Sequence, residues 1–155
     1  DNAEIEAELR TYRRIFRDEE DDLRLQLMRE AAVDILRDLA TFRPYLTGSV
    51  LDGTAGAFSE IDIDVFPDSA KELEIFLLDQ RVEYEHREVR RRDEDSPEVV
   101  LLLEWGEIPV ALRVYDPVQE RMRRRSHSGR KHERASLSQA EQWLASGDWP
   151  EFLGE

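Results

Sequence analysis

The chain has 155 residues, with 36 Asp and Glu against 22 Lys and Arg, so its formal net charge is −14. That length fits one domain, spanning residues 1–155, with a real hydrophobic core. The acidic balance argues against broad, non-specific nucleic-acid binding, no apolar run approaches a membrane span, and the absence of cysteine excludes disulfides and thiolate metal sites. Together with the lack of a signal-peptide pattern, this composition fits a cytoplasmic protein.

Taken in order, residues 1–40 read as helix. Ile5, Leu9, Tyr12, Ile15 and Phe16 recur at spacings of three and four, and Leu23, Leu27, Ala31 and Leu36 form a second set. The acidic cluster Asp18-Glu19-Glu20-Asp21-Asp22 is expected to divide them into two helices, since negative charge is favoured at a helix N-terminus. A strand is predicted over Arg43–Thr47 and another over Glu60–Phe66, stopped by Pro67. Ser69 with Glu72 three residues on predicts a capping box, opening a helix to about Asp79. Val82–Arg91, the Val- and Leu-rich Val99–Trp105, and Ile108–Tyr115 predict an antiparallel run of strands, with Gly106 in the last reversal. Val118–Arg125 reads as a short helix. Ser136–Ser146 reads as another, stopped by Gly147, with Trp149 and Phe152 in the tail covering an apolar patch.

The most informative stretch is Thr47–Pro67, T-G-S-V-L-D-G-T-A-G-A-F-S-E-I-D-I-D-V-F-P. A glycine-containing turn (Gly48, Gly53, Gly56) leads into a strand in which acids and aliphatics alternate. With a side-chain period of two, Glu60, Asp62 and Asp64 share one face while Ile61, Ile63 and Val65 share the other. The apolar face suits packing against helices. Three carboxylates stacked on one face repel one another and call for a cation. A hard divalent ion suits all-oxygen ligands, and the turn, running into a helix after Ser49, offers N–H groups to phosphate.

Gly48-Ser49, ten residues, then Glu60-Ile61-Asp62 resembles the signature of the nucleotidyltransferase superfamily related to DNA polymerase β. Within it the motif is most similar to archaeal CCA-adding enzymes and minimal antitoxin-type nucleotidyltransferases. The resemblance covers about Tyr45–Tyr115 and is specific over Gly48–Val65. It implies an α/β (α+β) fold, with a mixed sheet of about five strands and N-terminal helices packed on it. It further implies metal-dependent transfer of a nucleotidyl group from a nucleoside triphosphate (NTP) to a hydroxyl of an RNA, a protein or a small molecule. Gly48 and Ser49 would bind the nucleotide, Glu60 and Asp62 would hold Mg2+ (or Mn2+), and Asp64 would stand as a further catalytic acid.

One departure bears directly on catalysis. Active members of that superfamily carry a third acid on a neighbouring strand, where this chain reads Leu112-Arg113-Val114. Three arrangements compete: Asp116 serves from a shifted strand, Asp64 substitutes from the first acidic strand, or Arg113 pairs with Asp62 or Asp64 and occupies the place of a metal. The last gives a catalytically inactive module that binds a nucleotide or a partner. Elsewhere, Arg121–Arg134 is a basic island suited to phosphate capture or to a solvated loop, and His127 and His132 within it match no zinc pattern. His86 reads as exposed. Arg87, Arg90, Arg91 and Arg92 read as partners for the acids of the adjoining hairpin, and Asp52 and Thr54 read as turn residues or phosphate contacts.

Overall fold

A computed structural model describes residues 2–89, 95–121 and 133–152, the side chains of residues 9–18 excepted. The first helix, α1, runs without a break over Asn2–Asp38, 37 residues and roughly 55 Å at the usual helical rise. The expected division at the acidic cluster does not occur. Glu19–Asp22 are exposed, and Arg24 lies 2.8 Å from Asp21 one turn away. A run of solvated acids without glycine or proline weakens a helix but does not stop it. The C-terminal half of α1 is the anchored half: Met28, Ala32, Val33, Ile35 and Leu36 are buried at spacings of three and four, whereas Ile5, Leu23 and Leu27 are exposed.

Among the described residues, six strands form one mixed sheet: β1 (Tyr45–Thr47), β2 (Ile61–Val65), β3 (Tyr84–Arg87), β4 (Val99–Trp105), β5 (Ile108–Val114) and β6 (Ala135–Ser136), in the order β3-β4-β5-β2-β1-β6. Only β2 and β5 run parallel; the other pairs are antiparallel. The extra strand relative to expectation is β6, a two-residue pairing with β1 too short to leave a periodic signal. β1 starts at Tyr45 rather than Arg43, because Arg43 has φ 52 and Pro44 lacks an N–H to give a ladder. The strand expected over Val82–Arg91 shortens to Tyr84–Arg87.

The helices are completed by α2 (Gly48–Asp52), α3 (Ala70–Asp79) and α4 (Leu137–Ser146), with a 3-10 turn over Pro117–Arg121 where part of a longer helix was predicted. Residues 122–125 of that prediction lie outside the described residues. Ile61, Ile63 and Val65 join Leu46, Leu112 and Val114 in one core with the buried residues of α1, α2 and α3. The opposite face of β2 presents the acids.

Caps behave differently at the starts of α3 and α4. Ser69 stands at the N-cap of α3, but its hydroxyl caps nothing. Ser136 forms a full capping box on α4: its Oγ accepts from Gln139 N at 3.2 Å, and Gln139 Oε1 accepts from Ser136 N at 3.0 Å. Ser136→Ala is expected to lower stability by about 1 kcal/mol, measurable as a shift in denaturant midpoint with an unchanged slope. An unaltered midpoint would show that the box contributes nothing.

Candidate nucleotide site

The turn and the acidic strand meet because β1 and β2 are antiparallel neighbours. Thr47 faces Asp62 across the ladder, and α2 begins at the next residue. Gly48 adopts φ +74, and a Cβ built there would lie 3.0 Å from both Cβ and Cγ of Asp62 and overlap its carboxylate. Only glycine serves at this position, for conformation and for space. Below it, Ser49 O accepts from Gly53 N at 3.0 Å and from Ala55 N at 3.1 Å, closing the turn. Asp52 Oδ1 takes both Thr54 N (2.9 Å) and Thr54 Oγ1 (2.6 Å), so this pair shapes the loop.

Along the parallel ladder, Asp62 faces Ala111 and Asp64 faces Arg113, which places Arg113 on the acidic face. Arg113 Nη2 lies 3.6 Å from Asp62 Oδ1. Glu60 sits just before β2, and its Oε1 is 3.9 Å from Arg87 Nη2. Arg87 therefore approaches an acid of the site, while Asp93 and Glu94 of its hairpin lie outside the described residues. Asp64 is fully buried, and Asp62 keeps 14% of its side-chain surface. Asp116, the alternative third acid, is exposed beyond β5 and accepts from Val118 N at 2.9 Å, capping its own turn. It does not join the site.

Burial pushes the Asp62 carboxyl above the usual aspartate range against the opposing pull of Arg113, and Glu60 and Asp64 add to the rise. Asp62 Oδ1 is buried with no hydrogen-bond partner among the described residues. The proton affinity has a definite consequence for stability. A carboxyl whose folded pKa is raised binds more protons folded than unfolded, so its ionisation opposes folding as pH climbs from the unfolded value through the folded one. Asp62→Asn is therefore expected to stabilise the protein near neutral pH, on the order of 1 kcal/mol, by relieving a buried carboxylate. The advantage should vanish in acid below the unfolded pKa, as thermal melts of both proteins across pH would reveal. A variant less stable than the parent at pH 7 would mean that Arg113 loses more than burial gains.

A two-metal centre does not fit this donor set as it stands. A guanidinium occupies the position of the third acid, and no group of three Asp, Glu or His among the described residues is arranged to hold an ion. The acidic face continues into an aromatic cluster that sequence reading missed. Phe66 stacks on Tyr115 (5.4 Å between centroids) and meets Tyr45 edge-on (5.6 Å), while Arg134 lies over the Tyr45 and Phe66 rings at 4.8 and 5.2 Å. Alternation carried one step past Val65 would have placed Phe66 here. Of the basic island, Arg121, Glu133 and Arg134 are described; His127, His132 and the remainder lie outside the described residues, as do Arg90, Arg91 and Arg92. His86 is exposed, as expected, with Nε2 2.7 Å from Glu74 Oε1.

No protein-family model matches the chain, and no curated protein matches it. One solved structure similar to it is that of a cytoplasmic RNA terminal U-transferase, with 16% sequence identity and a TM-score of 0.39. The likeness covers 60% of this chain and 29% of that one, so the chain spans less than a third of that enzyme. Likeness at this level decides nothing about activity. No helix among the described residues is long and apolar enough to cross a membrane.

Proposed function

We propose that this chain is a nucleotidyltransferase-like domain that binds the phosphate chain of a nucleoside triphosphate at the Gly48–Ser49 turn, with Arg113 as its resident cation. The observation that carries the reading is the Arg113 guanidinium 3.6 Å from Asp62 Oδ1, beside a glycine turn pressed against the same carboxylate. The left-handed Gly48 lets the backbone approach Asp62 and frees the turn for N–H contacts to anionic oxygens. Ser49 adds a hydroxyl in the first turn of α2. Arg113 supplies a fixed charge and a planar fork of donors suited to phosphate.

Calorimetry with a non-hydrolysable NTP, in the presence of a chelator and then of magnesium, tests this reading. Binding that is equally tight in both is expected; no binding in either would sink it. A second reading, nucleotidyl transfer with Mg2+ or Mn2+ on Glu60 and Asp62, is favoured by Asp62 Oδ1, which is buried and accepts no hydrogen bond among the described residues. It demands that Arg113 move off Asp62, and it predicts metal-dependent binding. It also predicts label transfer from an α-labelled NTP to an RNA, protein or small-molecule hydroxyl, lost in Asp62→Asn.

A further inference from the structure

The helix that carries the turn cannot hold its own position. α2 has five residues, and its N-cap Thr47 makes no side-chain cap. So short a helix is unstable alone, and its last carbonyls need outside donors. Two residues distant in sequence supply them. Arg29, from the anchored half of α1, donates Nε to Val50 O at 3.0 Å and Nη2 to Leu51 O at 3.1 Å. Trp149, from the tail after α4, donates Nε1 to the same Leu51 O at 3.0 Å. The guanidinium carbon also lies 4.3 Å from the Trp149 ring centroid, and Trp143 holds the indole edge-on at 5.4 Å.

We propose that Arg29 and Trp149 form a clamp that positions the Gly48–Ser49 turn for its anionic ligand, making the C-terminal tail a remote determinant of affinity at that turn. A cation and an N–H at the C-terminal carbonyls oppose the negative end of α2 and hold the segment that carries Gly48 and Ser49 in place beside Asp62. Burial lowers the Arg29 pKa to about 10, with Asp52 opposing the fall, so the guanidinium is charged at neutral pH. Arginine suits the position because its rigid fork reaches two successive carbonyls, which a lysine ammonium on a flexible stem does not span in one fixed geometry. Because coupling between sites is reciprocal, a ligand on the turn also tightens the tail.

This proposal rests on the reading of the turn as a phosphate site, and the experiment separates the two. Inorganic tripolyphosphate is titrated into the parent, Trp149→Phe and Arg29→Lys, and amide exchange is followed over residues 47–55 and 147–152. Trp149→Phe keeps an aromatic ring at the position while removing the N–H donor together with the pyrrole half of the indole. Expected are faster exchange over 47–55 in both variants, tripolyphosphate affinity about 5- to 10-fold weaker at temperatures where both are fully folded, and slower exchange over 147–152 in the ligand-bound parent. Lower melting temperature with unchanged affinity and unchanged exchange over 47–55 would show mere structural support and overturn the clamp. A parent that does not bind tripolyphosphate defeats the phosphate reading instead, and the exchange of 47–55 then decides alone whether the clamp holds the turn.

Discussion

Arg113→Asp is expected to abolish metal-independent NTP binding, weakening it about 100-fold, and to make the remaining binding depend on magnesium. The size follows from losing the charge-assisted hydrogen bonds of the proposed phosphate contact, each worth roughly 1.5–3 kcal/mol, and replacing them with a charge that repels phosphate. The same change sets a third carboxylate beside Asp62 and Asp64, on the strand that pairs with them. With no cation to balance them, the fold should lose about 1–3 kcal/mol in the metal-free state; the 32% exposure of the Arg113 side chain keeps this below the loss for a fully buried pair. Magnesium should then raise the melting temperature of the variant and leave the parent unmoved. Arg113→Met, which keeps the stem without the charge, should lose binding without acquiring the metal response. Calorimetry and melts on the three proteins check this. Undiminished NTP affinity in Arg113→Asp would remove Arg113 from the site.

Gly48→Ala is the second large effect. Alanine at φ +74 leaves the region open to L-residues, at about 1–3 kcal/mol, and its methyl group would be driven into the Asp62 carboxylate. A total near 3 kcal/mol is expected, because neither β1 nor β2 can withdraw: Thr47 and Asp62 are paired in the ladder. Gly56→Ala is the internal control. Nothing lies within 4 Å of a Cβ at that glycine, so this change should be neutral or slightly stabilising. Denaturant unfolding of both variants decides; equal midpoints would mean that the turn yields and that its approach to Asp62 is not tight.

How far the sequence could be read depended on the distance over which each interaction acts. Acid–aliphatic alternation placed Ile61, Ile63 and Val65 in the core because strand period is local, and the family resemblance over Gly48–Val65 set Gly48 beside the same strand. The Leu112-Arg113-Val114 pattern already raised a guanidinium in place of an acid. The acidic cluster near Asp21 misled, since helical hydrogen bonds continue through exposed charge. Two features had no local trace: the two-residue β6, and the joining of Arg29 and Trp149 at Leu51. Each links segments that the sequence separates widely, and no period or cap reports such pairings.

The parallel ladder between β2 and β5 carries a consequence for how the molecule matures. Its two strands are separated in the chain by a helix and a pair of strands, whereas β3, β4 and β5 can zip together from near neighbours. Closing the long segment costs entropy before any contact repays it. The guanidinium and the carboxylates of the acidic face therefore come face to face late in folding, and during refolding the proposed binding of phosphate should lag behind the appearance of β-structure.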